Sequence, residues 1–113
     1  MWMLIALTAG AACPTVQVDA FADTVQAGDI VVLGERHGVR SDFRTAGRLV
    51  DALAEQMPVT VAVEAIDHGV QAELDAWAAR GDRLGALKEL TGWKETWGLP
   101  FRAYRPLFRR VRK

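Results

Sequence analysis

The chain has 113 residues, half of them hydrophobic and a quarter charged, a size and composition typical of one small globular domain and not of a disordered chain. Its 14 basic residues balance its 14 acidic residues, so net charge gives no reason to expect a nucleic acid as partner. The single cysteine excludes an internal disulfide and a metal site built from several cysteines.

The first 13 residues have the pattern of a short export signal. Residues 1–12 are apolar or small and carry no charged side chain, and Gly10-Ala11-Ala12 precedes Cys13. In a lipoprotein-type signal, Cys13 would become the lipidated first residue of the mature protein. A buried first strand is the alternative, and twelve residues are too few to span a bilayer. We therefore expect a signal at residues 1–13 and a folded domain at residues 14–113.

Two runs of β-branched and aliphatic residues predict buried strands, at residues 30–34 and 59–64. Neither run alternates with polar residues, which is typical of parallel strands covered on both faces. Between them, apolar side chains recur every three or four residues over 41–56 and predict a helix with one buried face. Ser41 or Asp42 can cap its start by accepting a backbone N–H bond. Strand, helix and strand would form a right-handed unit. The pattern therefore predicts an α/β fold with a parallel βαβ core and flanking helices.

The second half of the chain predicts helices separated by an aromatic loop. Asp67 can cap a helix that ends at Gly81, and a shorter helix should begin near Asp82. Residues 91–100 hold two tryptophans and indicate a loop. Two strands among four helices leave a sheet without neighbours. We therefore expect the chain to be an incomplete portion of a larger α/β domain.

The last helix is predicted from near Tyr104 to Arg112, with Pro106 in its first turn. The end of the chain is rich in arginine and has no acidic residue between Arg102 and Lys113. A basic run of this kind is typical of a solvated helix face, and a binding patch is the alternative.

Both predicted strands end in chemically active side chains. Glu35 and His37 follow the first strand, and Glu64 ends the second. Because parallel strands present their carboxyl ends at one edge of the sheet, we expect Glu35, His37 and Glu64 to converge there. They could bind a divalent metal that activates water, or act as a general acid and base. Alternatively, Glu64 caps a helix or pairs with Arg36 or Arg40.

Two further side chains are candidates for holding a cofactor. His68 follows Glu64 by four positions and could reach the same edge, although a solvent-facing histidine is the alternative. Tyr104 could ligate a haem iron, as tyrosine does in some haem proteins, although a lone tyrosine before a helix is usually structural. His37 lies between two glycines, where a histidine has little packing purpose, so it is the residue we most expect in a site.

Several motifs together resemble a known family. They are Val31-Val32-Leu33-Gly34-Glu35-Arg36-His37, Ala62-Val63-Glu64-Ala65, His68-Gly69-Val70-Gln71 and the block that holds Trp93, Trp97-Gly98, Phe101 and Tyr104-Arg105-Pro106. Over about residues 20–112 the chain is similar to the ChaN family of haem-binding uptake lipoproteins. That family is grouped with the Tiki and TraB proteins and, more distantly, with the erythromycin esterases.

The resemblance implies an exported lipoprotein of haem or iron acquisition, lipid-anchored on the periplasmic face of a bacterial membrane, expected to be the outer membrane. It implies haem as the bound group, with His37, His68 and Tyr104 as candidate haem-binding residues. It also implies that Gly34, Glu35, His37 and Glu64 match the positions that form the catalytic or metal-binding centre in the Tiki and esterase relatives. Because family members are longer, the resemblance implies that this chain is the N-terminal part.

Three functions follow as hypotheses. The first is a haem-binding, membrane-anchored lipoprotein domain. The second is a metal-dependent hydrolase of the Tiki or erythromycin-esterase type that uses Glu35, His37 and Glu64. The third is an inactive fragment held by a partner or by a homodimer interface.

Overall fold

The computed structural model describes residues 14–111 of the chain. Within that range the regular elements are helices. They are α1 (Val18–Ala22), α2 (Arg40–Ala54), a 3-10 helix (His68–Val70), α3 (Gln71–Arg80), α4 (Leu84–Leu90), α5 (Trp93–Thr96) and α6 (Phe101–Val111). Cys13 and the export signal predicted at residues 1–13 lie outside the described residues. Among the residues that are described, no helix has both the length and the apolar composition needed to cross a bilayer.

The predicted α/β fold with a parallel βαβ core is wrong for the part of the chain that the structure describes. Residues 30–34 and 59–64 form no strand there, and no backbone hydrogen bond joins the two runs. A β-branched run becomes a strand only when another extended segment lies about 4.8 Å away. Here the two runs line the walls of one cavity instead. Ile30 and Val32 remain 90% and 87% exposed as a result.

The helix predictions are more accurate than the strand predictions, because an α-helix forms its backbone hydrogen bonds within one segment. The predicted helix over residues 41–56 is confirmed as α2. The Asp67 side chain accepts a hydrogen bond from the Gly69 N–H at 2.6 Å and caps the 3-10 helix. Gly81 ends α3 with a positive φ of 67°, a conformation that glycine adopts without strain. The predicted loop over 91–100 contains the short helix α5.

Pro106 lies inside α6 and not in its first turn, because α6 begins at Phe101 and not near Tyr104. Proline has no backbone N–H, so the carbonyl four residues earlier, that of Arg102, loses its helical donor. Arg40 of α2 replaces that donor, and its Nη1 donates to the Arg102 carbonyl oxygen at 2.8 Å. The proline is therefore compensated by a contact between two helices.

The helices α2 and α6 pack side by side and run in the same direction. Arg40 meets Arg102 at one end of the contact, and Asp51 forms an ion pair with Arg110 at the other. Between them the backbones approach closely at Gly47, where an added Cβ would lie 3.0 Å from the Pro106 carbonyl oxygen. A larger residue at this position would require the two helices to move apart by a few tenths of an ångström.

The main core is aromatic and centres on Trp93 of α5, which is 1% exposed. Its ring meets Phe101, Tyr104 and Phe108 of α6 edge to face, with centroid distances of 5.1, 4.8 and 5.8 Å. Its indole Nε1 donates to the Leu99 carbonyl oxygen at 2.6 Å. Edge-to-face rings stabilise by about 1 kcal/mol beyond their burial. A smaller cluster of Ala22, Leu49 and Leu53 joins α1 to the other side of α2.

Gly47→Ala tests the close approach of α2 and α6. In an open helix, Gly→Ala stabilises by about 1 kcal/mol, but here the methyl group meets backbone, and we expect a loss of about 1 kcal/mol or more. Gly85→Ala in α4 is the matched control, because only the Arg83 side chain lies within 4 Å of its added Cβ. Urea denaturation should show Gly85→Ala as more stable than the parent chain. An increase in stability for Gly47→Ala would contradict the packing described above.

Candidate functional site

The turn that precedes α2 is held by one carboxylate. Asp42, in the first turn of α2, accepts hydrogen bonds from the Arg36 backbone N–H at 2.9 Å, from Nε at 3.0 Å and from Nη2 at 2.7 Å. These bonds and the guanidinium charge hold the pKa of Asp42 well below its usual range, and the carboxylate in turn raises the pKa of Arg36. The pair therefore stays ionised and fixes the backbone on which Glu35 and His37 lie.

Glu35 and His37 form a direct pair, with 2.5 Å between Glu35 Oε1 and His37 Nδ1. A carboxylate at Nδ1 favours the tautomer with its proton on that nitrogen, which leaves the lone pair of Nε2 free to bind. The second carboxylate oxygen, Glu35 Oε2, is buried and has no hydrogen-bond partner among the described residues. A buried oxygen without a donor is costly, so this atom could accept a hydrogen bond from a ligand at the site.

Tyr104 joins this pair to the aromatic core. Its hydroxyl oxygen accepts the Gly38 backbone N–H at 3.2 Å and the Trp97 indole Nε1–H at 2.7 Å. The Trp97 ring in turn packs edge to face with the His37 imidazole, with 5.0 Å between centroids. Tyr104 itself is 2% exposed. One buried hydroxyl therefore positions both the turn after His37 and the ring against which His37 lies.

A cavity of about 850 Å³ lies beside these residues. One wall is formed by α2 through Ala46, Leu49 and Leu53, and the other by the two runs predicted as strands. Glu35, Glu64, Trp97 and Tyr104 also line it, and the other polar lining residues are Gln26, Asp29, Asp42, Thr45 and Thr60. Cavities of up to about 1,000 Å³ that are mostly apolar and carry a few polar groups are typical of small-molecule and cofactor sites.

The structure brings together only part of the predicted site. Glu35, Glu64 and Tyr104 line the cavity, and His37 lies next to it against Trp97. His68 has a fully exposed side chain, with its Nδ1 3.8 Å from Asp67 Oδ1, and it does not line the cavity. Within residues 14–111, no three His, Cys, Asp or Glu side chains are grouped so that they could hold a metal ion.

One contributor to the site was missed at the level of sequence, and another was predicted in part. Trp97 was interpreted as a loop aromatic, yet it contacts His37 and donates to Tyr104. Asp42 was one of two residues expected to cap the start of α2, and it accepts the Arg36 backbone N–H and also binds the Arg36 guanidinium. The role of Trp97 could not be read from spacing, because its contacts depend on how α2, α5 and α6 pack.

Comparison with known proteins identifies the family of the chain. A family model described as "Haem-binding uptake, Tiki superfamily, ChaN" matches residues 21–113. The chain belongs to this family. The resemblance seen in the sequence motifs is thereby confirmed, and the ChaN-family match includes every residue of the Glu35, His37, Trp97 and Tyr104 group. Neither the curated proteins nor the solved structures compared with the chain give a match.

Tyr104→Phe tests whether the hydroxyl holds this ChaN-family site together. The substitution keeps the ring and leaves the Gly38 and Trp97 donors without an acceptor, so we expect a loss of about 1–3 kcal/mol in the free energy of unfolding. A double-mutant cycle with Trp97→Phe isolates the bond between the two side chains. Chemical denaturation of the four proteins should give a coupling of about 1 kcal/mol. Additive effects would show that the bond has no energetic role.

Proposed function

We propose that this chain binds haem in the cavity beside the Glu35–His37 pair, as a haem-uptake protein. The observation that carries the proposal is the state of His37. Its Nδ1 is held by a carboxylate, its Nε2 has no hydrogen-bond partner within residues 14–111, and its side chain is half exposed next to a large, mostly apolar cavity. A fixed imidazole with one free nitrogen is the usual protein ligand of haem iron.

The cavity suits a flat, mainly apolar ligand. Aliphatic side chains line much of it, from α2 and from Val31, Leu33, Val59, Val61 and Val63, and polar residues such as Glu35, Glu64 and Tyr104 line it as well. A porphyrin likewise combines a large apolar ring with a few polar groups. Haem bound here supplies iron as the cargo of uptake, and burial of its ring against the aliphatic walls would provide most of the affinity.

The residues around the cavity have different roles in this proposal. His37 would hold the iron through Nε2, and Glu35 orients the imidazole through its contact with Nδ1. Tyr104 acts as a positioning residue, because its hydroxyl oxygen already accepts two N–H groups. His68 is not a ligand in this arrangement, since its exposed side chain lies away from the cavity.

The metal-dependent hydrolase receives less support from the same residues. That function needs Glu35, His37 and Glu64 around one ion. Glu64 lines the cavity, but the described residues contain no group of three such side chains placed to share a metal. Haem binding requires one nitrogen ligand and an apolar cavity, which His37 and the cavity next to it can supply.

Hemin titration with a matched pair of histidine variants tests the proposal. We expect a shifted Soret band on the parent chain, and binding at least about tenfold weaker for His37→Ala, since loss of ligand support alone costs that much at metal sites. His68→Ala is the control, because it removes an exposed imidazole outside the cavity. Circular dichroism checks that each variant is folded. A titration of the parent chain without a Soret shift, or an equal loss of hemin affinity in both variants, would contradict the proposal.

We also propose that Cys13 anchors the protein by lipidation on the periplasmic face of a bacterial outer membrane. The support is the sequence pattern at residues 1–13, in which small residues precede the only cysteine. A doubly acylated terminus of this kind binds membranes stably. The parent chain, expressed in a bacterium, should fractionate with membranes and carry acyl mass on Cys13, whereas Cys13→Ser should carry none. An intact Met1 terminus on the parent chain would refute the cleavage site.

A further inference from the structure

Two stripes of arginine cover the solvent side of the α2 and α6 pair. Six exposed arginines recur at three- and four-residue intervals, the spacing that places side chains on one side of a helix. They are Arg40, Arg44 and Arg48 on α2 and Arg102, Arg105 and Arg109 on α6. Within residues 14–111, none of the six forms an ion pair with a carboxylate. We call this surface the arginine face.

The contacts between the helices place the two stripes next to each other. Arg40 Nη1 touches the Arg102 carbonyl oxygen, and both helices run in the same direction from that point. Arg44 and Arg48 follow on α2 at one-turn steps, and Arg105 and Arg109 do so on α6. The stripes therefore run in parallel over about two turns of each helix.

The arginine face lies on the opposite side of these helices from the cavity beside the Glu35–His37 pair. The cavity is lined by Leu49 and Leu53 of α2 and by Leu107 of α6. On an α-helix, with 100° between successive residues, Leu53 lies across the helix from Arg44, and Leu107 lies far around the helix from Arg109. A partner on the arginine face would therefore leave the cavity open.

The positive charge of this face is not cancelled locally. The two carboxylates within α2 already have partners, since Asp42 binds Arg36 and Asp51 binds Arg110. The helix α6 has no acidic residue at all. The formal net charge of zero for the whole chain therefore hides a one-sided distribution, in which a strongly basic face is balanced by acidic residues elsewhere.

We propose that the arginine face docks on the surface of an anionic phospholipid membrane. Guanidinium groups bind phosphate oxygens through two parallel N–H bonds and keep their charge at any physiological pH. Two helices packed side by side present a flat array, which matches a plane of headgroups. The groove of a nucleic acid duplex is instead entered by a projecting helix or strand. Docking in this way would hold the haem cavity facing away from the membrane, and it does not depend on whether haem binds.

Vesicle binding of matched double variants tests the proposal. All proteins are the full chain with Cys13→Ser, so that no acyl chain contributes, and the vesicles contain equal parts of phosphatidylglycerol and phosphatidylcholine or phosphatidylcholine alone. Each arginine near an anionic surface strengthens binding by about fivefold. We therefore expect Arg44→Gln with Arg109→Gln to bind the mixed vesicles about 30-fold more weakly.

Arg83→Gln with Lys94→Gln is the control, because it removes the same charge from exposed residues that lie outside α2 and α6. The control should bind nearly as well as the parent chain, and binding of the parent should weaken steeply as salt is added. Three results would overturn the proposal. They are equal binding of the parent to both kinds of vesicle, equal losses in the two double variants, and displacement from vesicles by duplex DNA at equal phosphate concentration.

Discussion

The hydroxyl oxygen of Tyr104 is the contact on which the candidate site depends. It receives one N–H from the turn after His37 and one from the indole of Trp97, while its ring packs in the aromatic core beside Trp93 and Phe43. Because Tyr104 is buried, both donors would be left unsatisfied without it. The turn that carries His37 is therefore bonded directly to a buried side chain of α6.

The position of α6 in turn depends on its contacts with α2. One of these contacts replaces a backbone hydrogen bond that α6 lacks. Pro106 removes a hydrogen bond from α6, and Arg40 supplies a replacement donor to the Arg102 carbonyl oxygen. Gly47 lets the two backbones approach. The same packing sets the remaining arginines of both helices on one outer surface and the aliphatic side chains on the cavity side. The pair of helices α2 and α6 therefore carries the arginine face on one side and lines the apolar cavity on the other.

Several residues of the site could be predicted from the sequence, but the way in which they come together could not. Glu35 and His37 were expected to act together because both follow the first predicted strand, and they do form a pair. The predicted convergence with Glu64 relied on a shared sheet edge, and no sheet forms in residues 14–111. Glu64 still reaches the cavity, because residues 59–64 line its wall. His68 was predicted to reach the site because it follows Glu64 by four positions, but its exposed side chain does not line the cavity.

The sequence by itself determined the local events, namely the helices α2 and α3, the Asp67 cap, the Gly81 stop, and the family to which the chain belongs. These follow from residues within a few positions of one another, and a helix needs no distant partner for its hydrogen bonds. Only the tertiary structure decided that residues 30–34 and 59–64 face a cavity and are not paired as strands. It also decided that Trp97 and Tyr104 support His37. The reason is that strand pairing and buried side-chain contacts join residues far apart in the chain. An apolar run indicates that a segment will be buried, but it does not indicate which segment will cover it.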